Sequence, residues 1–217
     1  MRIVPNTIYN ILLSDGVPQD ISITKENADA LFNFFKEHPL FRWSDANNDC
    51  EDRANAICLL LDKWDLPNYK GWVFGSNFLS KEDGSLVNNW KYHVAAIVPV
   101  QDKDGLNFYV IDPATLQNTS TILEWATNIT DVPFSHYLIK WNDYYIFPGA
   151  SLRRDNWHRR NSQNYKWTIQ GLADINGVEK KGKAELVFNK NRIRNTEKRF
   201  GELLKNKPLF FEDSKSL

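Results

Sequence analysis

Two cysteines in 217 residues leave no material for a disulfide framework. Cys50 and Cys58 fall on one face of a single helical pattern, too far apart to bond to each other. No apolar run approaches the roughly 18 residues that a membrane-spanning helix needs. The opening residues, MRIVPNTIYNILLSDG, lack the small-residue cleavage site of a secretion signal and read as a strand. The CxxC and HExxH patterns that mark metal sites are also missing, so neither a metal nor any other cofactor is expected. No internal repeat and no low-complexity segment interrupts the chain. These absences point to a protein that works in a reducing compartment. That compartment is either its own cytoplasm or that of a target cell into which it is delivered, as an effector or toxin, without a cleavable N-terminal signal.

What is present is a core. Hydrophobic residues make up 42% of the chain and eight are tryptophan, a composition that folds and is not disordered. Its length suits one ordinary domain with an appendage. The formal net charge is +0, yet the two ends differ. Residues 1–150 carry 11 Lys and Arg against 19 Asp and Glu, whereas residues 151–217 carry 16 against 8. The expected division is therefore an acidic body over 1–150 and a basic extension over 151–217, open to packing on that body.

The stretch NDCEDRANAICLLLDKW, residues 48–64, organises the reading. Ala54, Ile57, Cys58 and Leu61 recur at helical spacing and place Cys50 in the first turn, on the buried side. Asp49 suits the cap, and Glu51 and Asp52 suit an acidic first turn. A thiol in that position meets the positive end of the helix dipole and unpaired backbone N–H groups, both of which favour thiolate. Cys58, between Ala54 and Leu61, reads as core packing.

Along the chain, residues 7–13 and 21–23 predict short strands, and residues 25–37 an amphipathic helix capped by Thr24. Residues 71–77 predict a strand and 80–89 a polar loop. Two β-rich runs, 90–100 and 106–111, flank a strong hairpin signal at Asp104-Gly105. His93 lies in the first run and Asp112 closes the second before Pro113. If the loop length is even, opposed residues have numbers with an odd sum, and His93 and Asp112 then share one face, opposite each other or one diagonal apart. A short helix near 120–127, capped by Thr119 or Ser120, precedes an aromatic, β-like stretch over 137–147. Residues 167–174 and 184–188 predict strands around Asn176-Gly177, and Asn195 is expected to cap a last helix through 205.

A thiol at a helix start, then a strand histidine, then an acid on the partner strand is the order of papain-like and transglutaminase-like cysteine enzymes. In that chemistry His93 accepts the thiol proton and later gives it to the departing amine, while Asp112 orients the imidazole. Backbone N–H groups at the helix start, aided by Asn47 or Asn48, stabilise the oxyanion. The segments Phe41-Arg42, Asp49-Cys50 with Arg53-Ala54, residues 73–77 (VFGSN), residues 90–95 (WKYHVA) and residues 111–113 (IDP) resemble bacterial protein-glutaminase, the protein-glutamine deamidase. The likeness runs from about residue 24 to residue 147. It implies an α+β fold of the transglutaminase/papain-like kind, with the nucleophile helix packed on an antiparallel sheet. It also implies Cys50, His93 and Asp112 as a triad, and conversion of protein- or peptide-bound glutamine to glutamate through a thioester with release of ammonia. Trp90 and Tyr92 flank the site on that likeness, and Trp43 joins them as a candidate for substrate contact. Asp49 stands where the family usually has glycine, which puts a negative charge beside the thiol. Disulfides, signal and pro-regions of the secreted family members have no counterpart in this sequence, nor does the basic extension have one in the family.

A transglutaminase or a cysteine protease of the same fold uses the same three residues. A non-enzyme reading makes the extension, where arginines interleave with Trp157, His158, Tyr165 and Trp167, a binder of an anionic surface or nucleic acid. Its amphipathic last helix and acidic end, FFEDSKSL, argue against that, and nucleic acid is not an expected partner. The expected partners are a glutamine-bearing protein or peptide and an inhibitor or immunity protein. His38, beside a proline at a helix end, reads as a surface residue, and His136 and His158 lack ligand spacing.

Overall fold

The chain is described from a computed structural model over residues 11–12, 22–43, 50–74, 78–79, 86–87, 92–130, 136–141, 162–175 and 185–209. Five helices, α1 (Lys25–Glu37), α2 (Cys50–Lys63), α3 (Ile122–Asn128), α4 (Ser162–Ile175) and α5 (Glu185–Lys205), accompany eight strands. The strands are β1 (Ile11–Leu12), β2 (Tyr69–Phe74), β3 (Phe78–Leu79), β4 (Leu86–Val87), β5 (His93–Asp102), β6 (Gly105–Ile111), β7 (Ser120–Thr121) and β8 (His136–Trp141). Six of them form a sheet in the order β1-β8-β2-β5-β6-β7, antiparallel throughout except for the β1–β8 pair. The fold is α+β, with α2 lying on the antiparallel sheet.

The β5–β6 hairpin sets the register that matters. Asp102 pairs with Gly105 across a two-residue turn, and the ladder runs on to Ala96 opposite Ile111. Gly105 sits at φ +110°, a backbone conformation open mainly to glycine. The Asp102 carboxylate fastens the turn by accepting from the Asp104 N–H at 2.8 Å and the Tyr109 hydroxyl at 2.9 Å. The even loop anticipated from the sequence is thus present. It puts Asp112 beyond the end of β6, one diagonal from His93.

Helix α2 is held from three sides. Ala54, Ile57, Cys58 and Leu61 are all buried, as their spacing requires. Lys70 on β2 is fully buried, and its ammonium donates to Asn55 Oδ1 at 3.0 Å. Asn55 in turn donates to Thr168 Oγ1 on α4 at 2.8 Å. Where α4 crosses the start of α2, the Asp52 carboxylate occupies the space above Gly171: a Cβ built there would lie 2.0 Å from Asp52 Oδ2. A mid-helix glycine costs about 1 kcal/mol relative to alanine, and here close approach requires it. Helix α5 packs Phe200, fully buried, toward Tyr165 of α4 and accepts the Trp64 indole N–H at Leu203 O, 3.2 Å away.

Several sequence expectations are corrected. Residues 167–174 and 185–188 are helical, not strands, residue 184 lies outside the described residues, and Asn195 lies inside α5 instead of capping it. Isoleucine, threonine and tryptophan suggested β-structure there, but the buried set Thr168, Ile169, Leu172 and Ile175 follows helical spacing. Within the expected polar loop 80–89, Leu86–Val87 pairs with Phe78–Leu79. Helix α3 is capped by Thr121, not Thr119 or Ser120, because Glu124 completes a capping box with it. Of the strand expected over 7–13, residues 11–12 are a strand and the rest lies outside the described residues. Ile23 forms only an isolated bridge to Val100. The Asn176-Gly177 turn, residues 75–77 and residues 142–147 likewise lie outside. Among the described residues no helix is long and apolar enough to cross a membrane.

Gly171→Ala should push α4 off the first turn of α2 unless Asp52 gives way. Overpacking of this kind costs about 1–3 kcal/mol, and for a domain of this size each kcal/mol lowers Tm by roughly 2–4 °C. A thermal melt of the variant checks it, and an unchanged Tm would show that the contact carries no packing.

Candidate active site

Strand alternation sorts the residues around β5. Trp72 on β2 pairs with Val94, and both pack with Ala54 and Cys50 on the side of α2. His93, one residue earlier and paired with Val73, turns toward α3, its ring 5.6 Å from that of Trp125. The imidazole is almost wholly buried, and its Nε2 meets Asp112 Oδ2 at 2.8 Å. Thr115 donates its hydroxyl to the same Asp112 oxygen, and the Trp125 indole N–H donates to Thr115 Oγ1 at 2.9 Å. A chain of four side chains therefore fixes the acid.

Burial alone would push the Asp112 carboxyl up. The positive charge and hydrogen bond of His93, the Thr115 hydroxyl and the Arg53 guanidinium outweigh it and hold the carboxyl below its ordinary range. Arg53 is itself buried, donates from Nε to Phe41 O at 3.2 Å, and lies 5.5 Å from the centre of the Trp43 ring. Trp43 stacks on Phe41 and donates its indole N–H to Phe35 O at 2.8 Å. Arg42, between these two aromatics, has φ +36°, in the left-handed region that favours glycine. Trp43, Cys50, Arg53, Val94, Ile111 and Asp112 are among the residues that line one narrow cleft.

Cys50 opens α2 and is half-buried at the wall of this cleft. Its thiol is pushed well above the ordinary cysteine range, first by burial and then by the charge and hydrogen bond of Glu51. A backbone hydrogen bond from Val94 and the charge of Arg53 oppose that shift without cancelling it. The thiolate-favouring effect expected of the helix start is therefore opposed first by burial and then by the neighbouring acid, Glu51. The described hydrogen bond of Sγ runs to Glu51 Oε2 at 3.3 Å, and Tyr92 donates to the other carboxylate oxygen, Oε1, at 2.6 Å. Burial and Glu51 together raise the Tyr92 phenol far above its usual range.

Of the residues singled out from the sequence, His93 and Asp112 are in direct contact. Cys50 shares the cleft with Asp112 and touches the main chain next to His93, while Tyr92 and Trp43 border the same region. Asn47, Asn48 and Trp90 lie outside the described residues. Sequence reasoning missed Glu51 as a partner of the thiol, having absorbed it into an acidic first turn. It also missed Thr115 and Trp125; the turn signal after Asp112-Pro113 was the trace of Thr115. Cys58 is fully buried, its thiol 3.6 Å from Tyr69 O. His38 is less exposed than expected: it accepts from the Leu40 N–H at Nδ1 and packs near Phe34 and Phe41.

Residues 28–129 match the profile of a glutaminase family, Gln_deamidase_2. That segment, a little under half of the chain, is similar to the glutaminase family. It contains Cys50, His93 and Asp112. No curated protein shows significant sequence similarity to the chain. Among solved structures, the A47Q2 mutant of pro-protein-glutaminase superposes with a TM-score of 0.56 at 17% identity over 78% of this chain. Protein-glutaminase itself superposes with a TM-score of 0.53 at 18% identity, covering 71% of this chain and 86% of that one. Pro-protein-glutaminase gives 0.51 at 17% identity over 77% of this chain. The chain spans 64% and 62% of the two pro-protein chains. At these identities the likeness is one of fold.

The charge state of Asp112 sets a pH test. Its folded pKa is depressed, so its contribution to stability is complete well above the unfolded carboxylate value of about 3.9 and is lost as pH falls through the folded value. The stability gap between the protein and Asp112→Asn should hold steady above about pH 5 and shrink on acidification. Denaturant midpoints between about pH 6 and pH 2.5 measure it, and a gap that widened toward acid would contradict the assignment.

Proposed function

We propose that this protein deamidates protein- or peptide-bound glutamine, with Cys50 as nucleophile, His93 as general acid and base, and Asp112 as the group that orients the imidazole. One observation carries the reading. A buried His93–Asp112 pair at 2.8 Å adjoins Val94, whose backbone bonds the sulfur of a cysteine at a helix start. The glutaminase-family segment that spans all three residues supports it.

Asp112 meets Nε2 of His93, and on this reading Nδ1 is the nitrogen that exchanges a proton with the thiol. Once Cys50 turns away from Glu51 and the His93 ring reaches it around the start of β5, the imidazole takes the Sγ proton as sulfur attacks the side-chain amide carbon of glutamine. The carbonyl π electrons move onto oxygen, which the backbone N–H groups at the start of α2 stabilise. Collapse of this tetrahedral species breaks the C–N bond, and the imidazolium gives its proton to nitrogen as ammonia leaves. Water then adds to the thioester with His93 as base. The second collapse expels the thiolate and yields glutamate. Asp112, negative throughout, stabilises the imidazolium at each crossing. Arg53 and Thr115 keep it ionised.

On this reading α4 and α5 brace α2 from behind, which gives part of the basic extension a structural task in the catalytic unit. The deciding measurement is ammonia release from a casein-type protein, with free glutamine as comparison and intact mass before and after. A gain of about one dalton per ammonia follows from replacing NH2 by OH. Larger adducts would show an amine acceptor, and shortened chains proteolysis. Cys50→Ala and His93→Ala should abolish turnover with the fold retained. Asp112→Asn should lower kcat by about ten-thousandfold, the size seen for the comparable change in a serine triad. Near-normal turnover by Asp112→Asn would remove it from the proposed triad.

A further inference from the structure

Glu51 is spent twice on groups that a cysteine hydrolase needs elsewhere. Its two carboxylate oxygens accept one hydrogen bond from the Tyr92 hydroxyl, at 2.6 Å, and one from the Cys50 thiol, at 3.3 Å. The tyrosine is itself fixed. Its ring lies 5.2 Å from that of Trp72, which is fully buried, and 6.3 Å from that of Phe74. A carboxylate held on a packed tyrosine has little freedom to swing away, and an S–H that donates to it is not donating to the imidazole. We infer that Glu51 is a positioning residue that, latched by Tyr92, holds Cys50 as a neutral thiol in a resting orientation, and that the nucleophile engages His93 only when this bond is broken.

The surroundings fit a lock better than a proton relay. A carboxylate is too weak a base to take the thiol proton and keep it, whereas His93 is the stronger base but is committed to Asp112 on the side of α3. The charged and titratable groups on the elements that meet at Cys50 are Glu51, Asp52 and Arg53 on α2, Tyr92 and His93 at the start of β5, and Asp112 after β6; of these, Glu51, Arg53 and Tyr92 interact with the thiol. Only Glu51 among them accepts the thiol proton in a described hydrogen bond, and Arg53, the cation on α2, pulls the other way. Breaking the lock transfers no atom: the thiol rotates, Glu51 keeps Tyr92, and the proton stays on sulfur until the imidazole takes it. A substrate amide N–H that bonds Glu51 in place of the thiol would release it. This couples nucleophile activation to occupancy of the cleft and protects the thiol from adventitious oxidants, which attack the thiolate.

The inference rests on Cys50 as nucleophile, yet its test needs no turnover. Iodoacetamide alkylation of Cys50 would be followed by peptide mass from about pH 6 to pH 11 in the unaltered protein, Glu51→Gln, Glu51→Asp and Tyr92→Phe, with thermal melts as the folding control. Glu51→Gln should lower the alkylation midpoint by about one pH unit, a roughly tenfold rise in rate below it. Glu51→Asp keeps the charge but falls one methylene short of both partners, and Tyr92→Phe removes the latch alone; both should move in the same direction. Unchanged midpoints in all three overturn the inference. A shift confined to Glu51→Gln also overturns it, because that pattern needs only charge and no latch. Should Glu51→Gln fail to fold, the other two decide by the same criterion. Ammonia release, measured in parallel, keeps the two readings apart. Shifted midpoints without any turnover would leave the lock standing and sink the deamidase, and turnover with unshifted midpoints would do the reverse.

Discussion

The ammonium of Lys70 is buried in the middle of the sheet, and much of the architecture answers to it. A cation removed from water costs several kcal/mol unless polar groups surround it. Asn55 on α2 supplies one such group, and Thr168 on α4 holds Asn55 in place. Strand, Cys50 helix and C-terminal helix are thereby fixed to one another by directional bonds, whereas apolar contact alone would allow them to slide. The close approach of Asp52 to Gly171 has the same effect at the end of α2 that carries Cys50. The position of the thiol is thus determined partly from behind, by residues far along the chain.

Around the thiol, four influences compete. Backbone N–H groups and Arg53 favour the anion; burial and Glu51 disfavour it, and in this structure they prevail. On the other side of β5 the balance runs the opposite way. There the His93 imidazole, the Thr115 hydroxyl and Arg53 keep Asp112 ionised despite its burial. Arg53 sits between the two, buried beneath Trp43, and its charge acts on both groups. The site therefore combines an ionised Asp112 with a Cys50 thiol that burial and Glu51 hold neutral.

How much was legible in advance depended on whether the signal was local. The α1 helix, from its Thr24 cap to Glu37, and α2 from Cys50 follow from capping chemistry and apolar spacing that neighbours in sequence supply. The β5–β6 hairpin follows from Asp104-Gly105 and the two flanking β-rich runs, and with it the shared face of His93 and Asp112. The misreadings of 167–174 and 185–188 arose where intrinsic preference and burial disagreed. Isoleucine and tryptophan suit strands, but the partner surface offered by α2 is a helix groove.

By itself the sequence determined the helix that begins at Cys50, the hairpin, the pairing of His93 with Asp112 and the likeness to protein-glutaminase, because each is written in residues close together or in a fixed register. Only the tertiary structure decided that Glu51 bonds the thiol, that Tyr92 holds Glu51, and that Lys70, Asn55 and Thr168 tie the sheet to the C-terminal helices. Those contacts join residues 41, 15 and 113 positions apart or depend on a side-chain rotamer. No periodicity encodes them; they exist because packing first brings the backbones together, and burial then forces each polar group to find a partner.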